Sequence, residues 1–317
     1  MKVISLNENK NRHIFFSKKT FITLRKDYQL YLFLLPGIIY FIIFHYIPMY
    51  GVQIAFRDFI DIKGIWGSPW VGLKHFERFI SSYQFWRLMI NTLGISFYQL
   101  AAGFPIPILL ALMLNQTVNK RFKKVVQTVT YAPHFISIVV LVGMIQMFLS
   151  PRNGFVNVML MALGKDPIVF LAKAEWYKTI YVLSGIWQGA GWGSIIYLAA
   201  LAGINIELYE AAKVDGASKF QIIRHIDIPG IMPTAVILLI LSLGRIMNVG
   251  FQKAYLLQND MNLKSSEIIS TYVYKVGLIE AQYSYSAAIG LFNTIINIIL
   301  LVSVNRLAKK LTETSLW

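Results

Sequence analysis

LMINTLGISFYQLAAGFPIPILLALMLNQTVN, residues 88–119, holds no Asp, Glu, Lys or Arg across 32 consecutive positions. In a soluble domain about one residue in four is charged, so such a run has no place on a hydrated surface. A bilayer-spanning helix needs roughly 20 mostly apolar residues, which this run exceeds. Pro105 and Pro107 do not argue against a spanning helix, because neighbouring helices re-satisfy the backbone groups they free.

Four more charge-free runs flank it: residues 28–56, 125–151, 179–206 and 281–305, of 29, 27, 28 and 25 residues. A sixth apolar stretch, 228–249, is interrupted only by Arg245. The chain has 317 residues, 56% hydrophobic and 14% charged. The reading is an all-α polytopic membrane protein with six transmembrane helices near 30–46, 92–114, 130–149, 179–201, 228–249 and 284–304. Disordered chains are poor in apolar and aromatic residues, so disorder is excluded. With no cysteine, disulfides and thiolate metal sites are excluded as well. The five His show no metal-ligand spacing, so no metal is expected.

Thirty Lys and Arg against 15 Asp and Glu give a net charge of +15. A basic balance fits either nucleic acid or an anionic membrane surface. Here the charge sits in short loops between apolar spans, so no nucleic-acid partner is expected. Segments 1–29, 115–129, 202–227 and 305–317 hold 17 Lys/Arg in 83 residues, whereas 47–91, 150–178 and 249–283 hold 12 in 109. Cytoplasmic loops carry the excess of positive charge, so both termini are expected in the cytoplasm. The domain reading is a basic cytoplasmic segment 1–29, a membrane domain 30–304 and a cytoplasmic tail 305–317. No small-residue cleavage site follows the first apolar run, which is expected to stay as a signal anchor.

One loop differs from the others. Residues 207–229 read ELYEAAKVDGASKFQIIRHIDIP. The Ala-rich start favours helix, and Gly216 allows a turn with positive φ. Ser218 followed by Gln221 has capping-box spacing, so a second helix is expected there. On it Phe220, Ile223 and Ile226 form an apolar stripe, and Pro229 opens the next span. This is a helix–turn–helix outside the bilayer with a face suited to a groove on a partner.

Glu210-Ala211-Ala212, three residues, Gly216, nine residues and Ile226-Asp227-Ile228-Pro229 resemble the EAA motif of ATP-binding-cassette importer permeases, E-A-A-x3-G-x9-I-x-L-P, with Ile228 in place of the usual Leu. Asp215-Gly216-Ala217-Ser218 also looks like the family. Leu35-Pro36-Gly37, Tyr50-Gly51 and Gly72-Leu73-Lys74-His75-Phe76 resemble its maltose-type, carbohydrate-importing members. Asn248-Val249-Gly250-Phe251, Tyr255-Leu256-Leu257, Gly290-Leu291-Phe292-Asn293 and the ending Leu316-Trp317 resemble the polysaccharide and complex-oligosaccharide branch.

The resemblance implies a permease subunit in a bacterial cell membrane that forms half of a pathway, with a second permease subunit as its heterodimer partner. It further implies two ATPase subunits beneath, a solute-binding protein outside and a carbohydrate substrate. Glu210, Ala211, Ala212, Asp215, Gly216, Phe220 and Ile223 would couple to the ATPase: Glu210 by contact, Gly216 through the turn, Phe220 and Ile223 by packing in a groove. The chain has no phosphate loop, since Gly164-Lys165 is followed by Asp166 and lacks the upstream Gly. ATP and Mg would therefore be bound by the partner ATPase, with no cofactor and no catalysis in this chain.

Polar groups within spans mark function or packing. Arg245 reads either as a lining residue that binds sugar hydroxyls or a uronate carboxylate, or as a snorkelling side chain. Asn293 and Asn297, one helical turn apart, read as sugar contacts or as helix–helix hydrogen bonds. Gly185, Gly189 and Gly193 give span four a small-residue face for helix packing. Trp187, Gln188 and Trp192 are further pathway candidates on its other faces, and His134 reads as a packed interface residue. A stand-alone channel or secondary carrier is the alternative. Carriers commonly place acidic groups in the membrane for ion coupling, and no Asp or Glu falls within the six predicted spans.

Overall fold

The computed structural model describes residues 26–312. Most of the basic N-terminal segment and the Leu316-Trp317 ending lie outside the described residues. The described residues divide into two compact units, with the boundary between Gln53 and Ile54. Among the described residues there is no β-strand, only an isolated antiparallel bridge between Arg57 and Trp70.

Helix α1 (Tyr28–Phe56) is long and apolar enough to cross a membrane, as are α2 (Phe85–Asn115), α7 (Lys219–Leu243) and the last helix, which runs from Tyr283 to Thr312. Two further pairs qualify only when each bent pair is taken together. Helix α3 (Lys120–Phe135) meets α4 (Ile138–Phe148) at 101°, and α5 (Ala174–Ala202) meets α6 (Ile206–Val214) at 74°. A short α8 (Phe251–Leu257) precedes the last helix, α9. All elements after α1 belong to the second unit, where α5 is central and packs against α2, α3 and α7.

The third predicted span needs correction. Rather than one helix over 130–149, the chain makes an amphipathic α3 and an α4 of only 11 residues. At 1.5 Å per residue α4 is roughly 16 Å long, about half the hydrocarbon thickness. The break has a local cause. Ile136 is extended, and the Ser137 hydroxyl accepts from Val140 N at 3.3 Å, starting a new helix instead of continuing the old one. On α3, Phe122, Val125 and Val129 stand exposed along one side of a helix that opens Lys-Arg-Phe-Lys-Lys.

The fifth predicted span is also displaced. Helix α7 starts at Lys219, runs through Pro229 and ends at Leu243, so Pro229 does not open it and Arg245 lies beyond its end. A proline inside a helix lacks an N–H, and its ring clashes with the carbonyl four residues back. The chain answers with a π turn at Ile223–Asp227, where Ile228 N reaches back five residues to Ile223 O. The same device precedes Pro48 in α1, where a π turn at Ile42–Tyr46 is closed by Ile47 N on Ile42 O.

Lipid is as apolar as leucine, so helices associate in a bilayer through close packing and hydrogen bonds rather than by escaping water. Gly191 on α5 shows this. It is buried, and a Cβ there would collide with the backbone carbonyl of Thr130 on α3. At the α6 end of the bundle Ala111 and Leu112 of α2 pack with Tyr197 and Leu201 of α5 and Ile231 of α7. At the opposite end of α2, Arg87 pairs with the buried Glu267, whose other oxygen lies 3.6 Å from Lys275. Asn157, fully buried, donates to Ser150 O and Ile168 O and accepts from Ile168 N, pinning the loop after α4.

Gly191→Ala forces α3 away from α5. Overpacking of this kind costs about 1–3 kcal/mol, so the thermal midpoint of the detergent-purified protein falls well below wild type.

Candidate functional site

Between α2, α5 and the end of α7 lies a cavity of about 420 Å³. Helix α2 contributes Ser96, Gln99, Gly103, Phe104 and Pro107; α5 contributes Gly185, Gly189, Gly193 and Tyr197; α7 and the turn after it contribute Leu238, Ser242, Arg245, Asn248 and Val249. The glycine face read as packing alone does two things here. At Gly193 a Cβ would sit 3.3 Å from Pro107 Cγ, so the two helices touch there. At Gly189 a Cβ would meet nothing within 4 Å, so the same face opens onto the cavity.

Arg245 is exposed on this wall, two residues beyond the end of α7 at Leu243. Its guanidinium has no hydrogen-bond or ion-pair partner among the described residues. The cavity wall includes no carboxylate. A second cation lies just behind the wall: Lys253 on α8 is buried, donates to Tyr181 O at 2.6 Å and would stand 3.2 Å from a Cβ on Gly185. A third, Lys178, lies two turns before Gly185 on the same face of α5, with Nζ 2.9 Å from where Gly94 would carry a Cβ.

Asn293 and Asn297 do not line the cavity. Their Nδ2 groups donate to Asn248 Oδ1 at 3.1 and 3.3 Å, and Asn297 Oδ1 accepts from Met247 N at 3.1 Å. They hold the turn after α7 against α9 and leave the Asn248 amide NH2 to the cavity. Trp187, Gln188 and Trp192 also lie away from the cavity wall. Gln188 donates to Ile136 O at 2.8 Å, and Trp192 stacks on His134 at 4.5 Å, so these two brace the α3–α4 break, while Trp187 is exposed. Sequence reasoning missed Gln99, Asn248 and Lys253. Gln99, a long amide in the middle of a charge-free run, was the one with a readable signal.

The 207–229 segment builds its own turn. Gly216 has φ +73°. Ala217 N donates to Ala212 O at 2.8 Å and Gly216 N to Lys213 O at 3.1 Å, the paired bonds of a Schellman helix end. Ser218 then caps α7, with Gln221 N on Ser218 Oγ and Ser218 N on Gln221 Oε1, the capping box expected from the spacing. Glu210, Ala211, Asp215 and Phe220 are exposed, and so are Leu208 and Val214. Ile223 is turned inward against the Tyr197–Leu201–Ile231 cluster, so the expected stripe divides between the two sides of the helix. Asp227, in α7 rather than in a loop, is fully buried and bonded to Tyr209, Asn115 and Gln116. Burial and its bond to Asp227 push the Tyr209 hydroxyl up to about 12.

Over residues 103–313 the chain matches the family described as binding-protein-dependent transport system inner membrane component, and it belongs to that family. A polygalacturonan/rhamnogalacturonan transport system permease protein of Bacillus subtilis (strain 168) is 45% identical over 300 residues, 95% of this chain and 94% of the relative. A permease chain of a bacterial alginate ABC transporter, solved in complex with alginate pentasaccharide-bound periplasmic protein, superposes with TM-score 0.87 at 42% identity over 94% of this chain and 100% of that one. A second such chain, from a bacterial ABC transporter involved in the import of the acidic polysaccharide alginate, gives TM-score 0.86 at 43% identity over 93% of this chain and 100% of that one. The protein is thus a membrane-embedded, non-catalytic permease subunit of an ATP-driven, binding-protein-dependent importer, among relatives that carry oligo- and polysaccharides. ATP hydrolysis falls to a separate subunit, and the stand-alone channel or carrier is set aside.

Asn297→Ala leaves the buried Met247 N–H without its acceptor, at a cost of about 1–3 kcal/mol. The thermal midpoint falls accordingly, and the loss is larger than for Asn293→Ala, which removes a single bond.

Proposed function

We propose that this subunit imports acidic oligosaccharides or polysaccharides, with Arg245 reading uronate carboxylates as they pass the cavity. The guanidinium, unpaired among the described residues in a wall without carboxylates, carries this reading: its planar fork of donors matches a carboxylate, and the passing cargo supplies one. Lys253 and Lys178 add positive potential toward the end of α5 where the chain enters it, and Gln99 and the Asn248 amide supply neutral bonds for hydroxyls. The polygalacturonan and alginate cargo named for the relatives has the same chemistry.

The chain is read with six spans, one from each bent pair with α6 itself outside the bilayer, and with both termini cytoplasmic by the asymmetry of basic residues. The basic segment 1–29 and the tail 305–317 then flank a membrane domain 30–304. The α6–Gly216–α7 finger points into the cytoplasm and docks on an ATPase subunit, with Glu210, Ala211, Asp215 and Phe220 on the docking face, Ala212 and Gly216 forming the turn, and Ile223 anchoring the finger to the bundle. A second permease subunit completes the pathway, and a binding protein delivers cargo from outside.

In the reassembled transporter, Arg245→Gln raises the concentration of uronate-loaded binding protein needed for half-maximal ATPase stimulation by roughly ten- to a hundredfold, the worth of one hydrogen bond to a charged group. Stimulation by a neutral oligosaccharide of equal length serves as the reference; an equal change for both cargoes contradicts the assignment. Gly216→Val places a β-branched residue at positive φ, a conformation costing about 1–2 kcal/mol even for a single residue. Uptake into proteoliposomes is lost in that variant, and normal uptake would rule out the finger as the coupling element.

A further inference from the structure

Among the described residues no cation pairs with the fully buried Asp227 carboxylate. Oδ1 accepts from Tyr209 OH at 2.6 Å and from Asn115 Nδ2 at 3.3 Å, and Oδ2 accepts from Gln116 Nε2 at 2.8 Å. The donors come from two other elements: Tyr209 from α6, and Asn115 with Gln116 from the last residue of α2 and the one after it. Asp227 itself closes the π turn that lets α7 pass through Pro229.

We propose that Asp227 is a positioning residue that locks the finger to the end of α2, so that a displacement of α6 is delivered to the cavity wall. The inference rests on the coupling reading of the finger. An ion pair holds its attraction over a range of geometries, whereas hydrogen bonds from neutral donors weaken steeply with angle and distance. A desolvated carboxylate held only by such bonds tolerates little relative movement of its donors, because each lost bond leaves buried charge uncompensated. Helices α6 and α2 therefore move together or part completely, the behaviour expected of an element with discrete arrangements. Helix α2 is also the helix that carries Gln99, Gly103, Phe104 and Pro107 into the cavity. The route is continuous: α6 through Tyr209 to Asp227, across to Asn115 and Gln116, and along α2 to the wall.

The test is the number of cargo molecules taken up per ATP hydrolysed by the complete transporter in proteoliposomes. Asp227→Asn keeps the shape and removes the charge, and its amide nitrogen cannot accept from the donors that now share two oxygens. Tyr209→Phe removes one donor and keeps the ring. The ratio of uptake to hydrolysis falls roughly tenfold in Asp227→Asn, within the range typical of a coupling interaction, and falls in the same direction, by less, in Tyr209→Phe. A purely structural role would change the yield and leave the ratio of the surviving complexes at wild type, which overturns the proposal. Should Asp227→Asn fail to assemble, Tyr209→Phe decides: a reduced ratio supports the lock, a wild-type ratio overturns it. Normal uptake in Gly216→Val would remove the coupling reading and this inference together. Loss of uptake in Gly216→Val with a wild-type ratio in both Asp227→Asn and Tyr209→Phe would sink this inference alone.

Discussion

Between Gly191 and the Thr130 carbonyl there is no room for a methyl group, and much of the molecule is arranged around that contact. It sets α3 against the middle of α5. The break at Ile136–Ser137 is tied to the same helix by the Gln188 amide and the His134–Trp192 stack. Two residues on, and so on another side of the helix, Gly193 admits Pro107 of α2. With α5 approached by the Thr130 backbone on one side and the Pro107 ring on another, Gly189 is left facing open space, and that space is the cavity. The void is a product of close packing around it, which suits a bilayer, where contact area rather than escape from water holds helices together.

Two polar groups of the cavity wall, Arg245 and Asn248, lie where regular helix stops. Helix α7 ends at Leu243, and the next residues place Arg245 and Asn248 on the cavity wall. The Asn293–Asn297 pair on α9 holds that irregular turn by accepting and donating across the gap. Arg245 contrasts with Arg87. The latter has its carboxylate, Glu267, and holds the fold together. The former has none among the described residues, and in the proposed role its charge is met by the cargo.

Long charge-free runs made the membrane class and most of the helices readable from sequence, because a bilayer imposes length and composition at once. The finger was readable as well, since Gly216 and the Ser218–Gln221 spacing are local chemistry with one cheap solution. Three features were not. The α3–α4 break rests on a serine cap inside an apolar run, which looks continuous to any count of charges. The passage of α7 through Pro229 rests on a π turn, for which composition gives no sign. The division of Phe220 outward and Ile223 inward depends on how the finger leans on Tyr197 and Leu201, a tertiary fact. Arg245 was found as a residue but misplaced within a helix, for want of any signal that the helix had ended.

The finger closes both of its internal helix ends with its own atoms: the Schellman bonds at Ala217 and Gly216, and the reciprocal Ser218–Gln221 pair. Its bend therefore exists before anything binds. A segment that must be ordered on association gives up part of its contact energy to lost conformational freedom; this one arrives already shaped. In the proposed docking role, its exposed Val214 and Phe220 would be released and recaptured in every cycle at little entropic cost, which favours a joint that must let go as readily as it holds.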